Sequence, residues 1–437
     1  HMDQLPVGDP TLSAKEIVGN ESQERMGIVI REEDIEHIRQ IADRERAPFY
    51  VVGETTGDHR FVFEQTDGVK PIDLAMEDMF GKAPRTVMTD RTVEETYEDV
   101  TYDQTQLDEY VERVLQLEAV ACKDWLTNKV DRSVTGKIAR QQCQGEIQLP
   151  LSDCGVVALD YRGRAGIATS IGHAPQAALV DPAAGSILSI AEALTNIVWA
   201  PLSEGLDSVS LSANWMWPCK NEGEDARLYR AVEACSDFAC SLGINIPTGK
   251  DSLSMTQKYG KDKVYSPGTV IISAGAEVSD IRKVVSPVLR TGIDSTVYYI
   301  DFSFDKLKLG GSAFAQSLDK IGKEVPTVQD SEYFANAFNA VQELINKELI
   351  LAGHDISAGG MITTMLEMNF ANTEGGLEVS LDEIPEKDLV KILFSENPGI
   401  LIQVEKTDEV EKILKKAGVA FIRLARPCDE RHLLIHK

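Results

Sequence analysis

The sequence predicts a mixed protein of the α+β and α/β layered classes, with more than one domain. Strand-like runs alternate with helical ones through residues 119–286, the pattern of helix layers packed on sheets. A strand-helix-strand plan near the start of the chain returns at its end. The 437 residues exceed the roughly 100–200 of one domain, so two or three cores are expected.

Residues 18–63 read as strand, helix and strand: VGNESQERMGIVI, the amphipathic EEDIEHIRQIADRERA, then PFYVVGETTGDHRFVF with a glycine-bearing hairpin signal. At 395–404 SENPGILIQV leads into the helical TDEVEKILKKAG and then VAFIRLARPCDERHLLIH. Glu21 thus corresponds to Glu396, and two copies of one domain are expected, the first represented by its C-terminal end. Between them a turn-rich stretch passes into an acidic run that includes Asp90, Glu94, Glu98, Asp99 and Glu112. It reads as a linker with one solvated helix. Strands VVALDYRG, SVSLSANW and GTVIISAGAEV then alternate with helices GSILSIAEALTNIVWA and ARLYRAVEACSDFACSLG. From residue 287 the order is TVYYIDFSF, the helix SEYFANAFNAVQELINKE and the strand ILAGHD.

Hydrophobic residues make up 43% and charged residues 26%, a globular rather than fibrous or disordered composition. The formal charge of −26 repels phosphodiester backbones and anionic lipid, so neither nucleic acid nor membrane is an expected partner. No apolar run approaches the ~20 residues of a membrane span, and the start has no signal pattern. A cytoplasmic protein is expected. Seven cysteines without a CxxC pair read as free thiols in a reducing compartment. His1-Met2 reads as a remnant of tag removal, and the chain as an excised piece.

Several residues are equipped for chemistry. Asp181-Pro182 opens a helix well, with Ile187, Ile190, Leu194, Ile197 and Val198 on one face and Glu192 and Asn196 paired at i,i+4 on the other. That pair suits an exposed surface helix as well as a ligand site. Asp153 precedes an apolar strand, while Asp355 and Ser357 end another and lead into two glycines. Such strand ends let backbone N–H groups approach a phosphate. Asp153, Glu192, Asn196 and Asp355 together would suit Mg²⁺, a hard cation that prefers oxygen, although each aspartate alone also fits a turn or a cap. VDRSVTGKIARQQCQG places Arg132, Ser133, Thr135, Gly136 and Lys137 at the entrance of a possible helix, as an anion cradle or a plain N-cap. Lys250 and Asp251 follow a proline-glycine turn, and the spacing is not that of a P-loop. His173 and His354 lack an evident Ser or Cys partner and read as structural or substrate-orienting.

Taken together, GNESQERM at 19–26, DRSVTG at 131–136, LSDC at 151–154, EALTNI at 192–197, LSANWMW at 211–217, PTGKDSLSM at 247–255 and HDISAGG at 354–360 resemble the long-chain phosphoribosylformylglycinamidine synthase family of purine biosynthesis. The resemblance implies an aminoimidazole-ribonucleotide-synthetase-like A domain followed by an α/β B domain, preceded by the tail of another B domain. On that plan residues 1–75 are the tail, 76–118 the acidic linker, 119–286 the second A domain and 287–437 the second B domain. It also implies Mg²⁺ held by Asp153, Glu192, Asn196 and Asp355. Lys123, Ser152 and Ser357 would contact the phosphates of ATP or ADP.

The family's enzyme is an ATP-dependent glutamine amidotransferase that makes formylglycinamidine ribonucleotide. In it the second half resembles a holder of a retained nucleotide. The first-half glycine-rich ATP loop and the glutaminase Cys-His-Glu motif are not found in this sequence. The chain alone is therefore expected to lack synthase and glutaminase activity, with the parent's remaining domains, including its glutaminase, as partners. Alternatives are a non-catalytic nucleotide-binding scaffold and a stand-alone ATPase of the same superfamily. The tail at 1–75 is expected to expose apolar area and sheet edges.

Overall fold

The computed structural model describes residues 1–19, 25–82, 84–85, 87–93, 95–130 and 132–436. Glu21, Glu94 and Asp131, and most of the 19–26 motif, lie outside the described residues. The chain divides into two compact units, His1–Val87 and Met88–Lys437. Among the described residues no helix is long and apolar enough to cross a membrane.

In the first unit the amphipathic helix forms at Ile35–Arg44, and Arg60–Phe63 pairs antiparallel with Ile72–Ala75. Of the strand expected over 18–30, none forms among the described residues 18–19 and 25–30. A helix occupies Ala14–Gly19, and residues 25–31 are irregular until a short 3-10 turn at Glu32–Asp34. Residues 47–56 likewise carry no strand. Helical hydrogen bonds close within a segment, whereas strand hydrogen bonds need a neighbouring chain. Alternating apolar residues alone do not supply that neighbour.

The second unit holds two six-stranded sheets. Its first helix is α1 (Leu107–Leu115). The expectation of a solvated helix is corrected on one face, because Tyr110 and Val114 are buried and the Tyr110 ring meets Phe314 edge-on. The acidic run is also anchored: Asp90 accepts backbone N–H bonds from Gly223, Asp225 and Ala226 at the start of a later helix, and Asp99 pairs with Lys323. Charges there cap and bridge rather than merely solvate.

The first sheet comprises β1 (Ile138–Arg140), β2 (Gly155–Ala158), β3 (Gly166–Gly172), β4 (Ser210–Met216), β5 (Asn245–Ser252) and β6 (Thr269–Val278). Its spatial order is β1-β2-β3-β6-β4-β5. Along β6 the alternate residues Val270, Ile272, Ala274, Ala276 and Val278 are buried, as expected of a sheet covered on one face. Helices α2 (Pro182–Ile197) and α3 (Glu224–Ser241) supply the apolar partner. Asp181 caps α2 by accepting from the N–H groups of Ala183 and Ala184.

Two local expectations are corrected in this sheet. The possible helix after Ser133 is a single 3-10 turn at Val134–Gly136 followed by strand β1, which pairs with β2. The proline-glycine segment at 247–249 is not a turn but part of β5, parallel to β4. β5 is an edge strand, where proline's missing N–H costs no ladder bond.

The second sheet comprises β7 (Thr296–Asp301), β8 (Ile350–Asp355), β9 (Gly376–Ser380), β10 (Gly399–Val404), β11 (Phe421–Cys428) and β12 (Leu433–His436), ordered β8-β10-β7-β11-β9-β12. Helices α4 (Ser331–Asn346), α5 (Gly360–Phe370) and α6 (Thr407–Ala417) accompany it. One hydrophobic core joins the two sheets, running from Ile190 and Ile197 of α2 to Phe334 and Phe338 of α4 and Ile400 of β10. Gln342 crosses the same boundary. Its buried amide donates to the carbonyls of Val198 and Ala200 and accepts from Leu202 N–H, so all three bonding groups are satisfied where water is excluded.

Candidate functional site

Three chain segments deliver polar side chains to the boundary between the two sheets. The loop before β2 carries Ser152 and Asp153, fixed by Ser152 N–H to Gln142 O (3.1 Å) and Ser152 Oγ to Gln141 O (2.7 Å). Helix α2 carries Glu192, Thr195 and Asn196 and lies very close to β3. A Cβ on Gly172 would fall 2.2 Å from the Ser189 carbonyl oxygen, so glycine is required there. Strand β8 ends in His354 and Asp355, and the chain then turns through Gly359 (φ 95°) and Gly360 (φ 74°) into α5. Both glycines have left-handed backbones that side chains resist.

Asp153, His354 and Asp355 each bring a ligand-capable atom to within 4.8 Å of one another. His354 Nδ1 lies 2.7 Å from Asp153 Oδ1 and 3.7 Å from Asp355 Oδ1, while its Nε2 meets Glu367 Oε2 of α5 at 2.9 Å. Thr195 Oγ1 donates to Asp355 Oδ2 at 3.4 Å. Asp153 Oδ2 and His354 Nδ1 are both buried without a hydrogen-bond partner, so the 2.7 Å approach of Nδ1 to Asp153 Oδ1 is an ion pair rather than a hydrogen bond. Asn196 donates to Ile171 O at 3.1 Å and to Glu192 Oε1 at 3.4 Å, which leaves its carbonyl oxygen unclaimed by those bonds. The nearby Ser357 side chain favours the charged form of Glu192.

The electrostatics show an excess of negative charge. Burial, and then the neighbouring Asp153, push Asp355 up to about 8. Burial also raises Asp153, and raises Glu192 well above its usual range with help from Asp355 and Glu396. Glu396 is pushed by burial to about 7, opposed by the N–H groups of Gly359 and Ala313 that it accepts from at 2.8 Å. Burial would lower His354, but Asp153 and Glu367 outweigh it and hold it well above its usual value. A single imidazolium cannot neutralise this many carboxylates, so their pKa values rise instead.

Alongside lies a cavity of about 340 Å³ whose wall includes Lys123, His173, Glu192, Gly311, Ser357 and Glu396. Among the sequence-derived candidates, Lys123, Glu192 and Ser357 line it, and Asn196 reaches it through its bond to Glu192; Asp153 and Asp355 lie outside that wall, in contact with His354 and Thr195. Ser152 lies outside the wall, with its hydroxyl committed to Gln141. Lys123 Nζ donates to Ala121 O at 2.8 Å. The motif residues Lys137 and Lys250 are elsewhere, bonded to Leu159 O and Ser252 Oγ. Burial lowers His173, which favours a neutral ring. Sequence reasoning missed Thr195, Glu367 and Glu396 as parts of the site. Only Glu396 had a usable signal, its correspondence with Glu21.

Comparisons with known proteins agree on the architecture. The family model described as "FGAR-AT PurM_N-like domain" matches residues 122–277. That of the "AIR synthase related protein, C-terminal domain" matches residues 1–65 and again 296–432. A phosphoribosylformylglycinamidine synthase of Dictyostelium discoideum is 36% identical over 441 residues, covering 96% of this chain and 32% of its own length. The Homo sapiens protein of that name is 37% identical over 444 residues, covering 97% of this chain and 33% of its own. The chain thus spans about a third of the length of these curated relatives. Among solved structures, "T. maritima PurL complexed with FGAR" matches with a TM-score of 0.55 and 16% identity, over 76% of this chain and 50% of its own. Another, "T. maritima PurL complexed with ADP", gives 0.50 and 14%, over 70% and 46%. At such identities the structural likeness establishes the fold.

Proposed function

The chain belongs to the phosphoribosylformylglycinamidine synthase family, and from that premise we propose that its buried acid cluster is a Mg²⁺-nucleotide site. The parent activity would be ATP-dependent conversion of formylglycinamide ribonucleotide to formylglycinamidine ribonucleotide with ammonia from glutamine. The observation that carries the site assignment is the surplus of buried carboxylate against one histidine, with Asp153 Oδ2 lacking a hydrogen-bond partner. A divalent cation supplies the missing positive charge and prefers an all-oxygen donor set.

The residues present fit that ion. Asp153, Glu192, Asn196 and Asp355 would hold it, and Lys123 and Ser357 in the cavity wall would meet the phosphate oxygens. Ser152 secures the loop that presents Asp153. Bound Mg²⁺ would screen the negative charge of a polyphosphate. The domain plan attached to this reading is an A-type domain at 119–286 and a B-type domain at 287–437. Residues 1–75 form the tail of an earlier B-type domain, and 76–118 a linker.

A structural holding role suits a site enclosed between two halves that share one core, with the parent's other domains, including its glutaminase, completing the enzyme. The test is ADP retention by the chain through gel filtration, with and without Mg²⁺, followed by thermal denaturation and phosphate release. Mg²⁺-dependent retention with a raised melting temperature and no phosphate release is the expected result. Failure to bind ADP under either condition removes the site assignment; steady phosphate release removes the holding role.

A further inference from the structure

Resting on the Mg²⁺-nucleotide reading, we propose that Glu367 and His354 are positioning residues that fix the Asp153 carboxylate so that its second oxygen faces the cation. The contacts form a line. Glu367 of α5 meets His354 Nε2 at 2.9 Å, and His354 Nδ1 lies 2.7 Å from Asp153 Oδ1 as an ion-pair contact outside hydrogen-bond geometry. Asp153 Oδ2 is left buried without a hydrogen-bond partner.

The line crosses the boundary between the sheets. Asp153 comes from the loop before β2, His354 from the end of β8, and Glu367 from the following helix. An imidazole engaged by a carboxylate at each nitrogen cannot turn about its own axis without losing both contacts. It therefore transmits a fixed direction to Asp153. A carboxylate gripped at one oxygen presents the other in one orientation, whereas a freed one must be ordered by the cation itself, at an entropic cost. Thr195 steadies Asp355 in a parallel way. Glu367 meets the cluster at His354 Nε2, and its side chain is 28% exposed. It acts on the site from outside.

Loss of Glu367 should therefore weaken the response to Mg²⁺ rather than the nucleotide contacts. The experiment is a Mg²⁺ titration of fluorescent-ADP binding to the 437-residue chain as wild type, Glu367→Leu and Glu367→Gln, with apo melting temperatures measured alongside. In Glu367→Leu the Mg²⁺ concentration for half-maximal binding should rise about 10–100-fold, the range for lost outer partners of metal ligands. Glu367→Gln keeps an acceptor oxygen and should recover part of the shift. Saturating Mg²⁺ should restore wild-type ADP affinity, while the apo melting temperature falls in Glu367→Leu, where the buried His354 Nε2 loses its partner, and less in Glu367→Gln.

An unchanged Mg²⁺ midpoint in Glu367→Leu overturns the positioning role and leaves the nucleotide site standing. An affinity loss that Mg²⁺ does not restore overturns it as well, because it reports general damage. A wild-type chain that binds no ADP at any Mg²⁺ concentration overturns the underlying reading, and this one with it.

Discussion

Five residues beyond Glu21 stands Met26, which is 91% exposed; five residues beyond Glu396 stands Leu401, fully buried in β10. Both belong to regions matched by one family model. Behind Leu401 the strand lies between β8 and β7, and every residue of it is buried. Behind Met26 residues 27–31 form no strand, and Val29 is 83% exposed. The helices that follow differ less. Ile35–Arg44 and α6 are both formed and amphipathic, though the first buries only Ala42 and the second buries Val410, Ile413 and Leu414. The pair teaches that a helix is specified mainly by its own segment, whereas a strand of the same pattern becomes one only beside a neighbour.

Hydrogen exchange should show the largest separation between the two regions. Amides of 400–404 sit in ladders on both sides and should open only with global unfolding, while those of 27–30 lack such ladders. With a typical global stability of about 5–15 kcal/mol, protection should differ by roughly four orders of magnitude or more. Comparable protection at 27–30 would mean that this segment pairs in solution, and the contrast would dissolve. Side-chain truncation should follow in size. Leu401→Ala should lose about 2–5 kcal/mol in urea denaturation, by lost burial plus a cavity, and Met26→Ala should stay within about 0.5 kcal/mol. Equal losses would show that Met26 is covered.

The same distinction explains how much was legible beforehand. Segments such as TVIISAGAEV and SEYFANAFNAVQELIN are long and strongly patterned, and they fold as the pattern indicates. The first-copy strands failed because their pattern was right but their neighbours were not part of the pattern. β5 was hidden by Pro247 and Gly249, which mark turns except at a sheet edge. At the site, individual aspartates and the Glu192/Asn196 pair were readable, since i,i+4 spacing and strand ends are local features. The contact of His354 with Asp153 joins residues 201 apart in sequence, and no local rule contains it. Glu367 looked like any polar position on a helix.

The smallest expected effect concerns charge on the paired helix and strand of the second copy. Glu411 of α6 accepts from Tyr298 OH (2.9 Å), pairs with Lys415 (2.8 Å) and is bound by Arg423 of β11. Hydrogen bonds from Lys415 and Arg423 hold it down at about 2, against an ordinary value of 4.5. A carboxyl group lowered on folding stabilises the native state above its unfolded pKa, and that contribution disappears as pH falls through the folded one. The window is therefore about pH 4.5 down to 2. Lys415 and Arg423 are largely solvent-facing, so the contribution should be of the order of 1 kcal/mol or less and should shrink with salt. Glu411→Gln should flatten this part of the stability-pH curve and leave neutral-pH stability lower by that small amount. In the first copy the comparable pair, Glu36 with Arg39, is 3.8 Å apart on one exposed helix and spans no strand. Neutralising Glu36 should cost less stability at neutral pH than Glu411→Gln does; an equal loss would mean that bridging between helix and strand is not what sets the two copies apart.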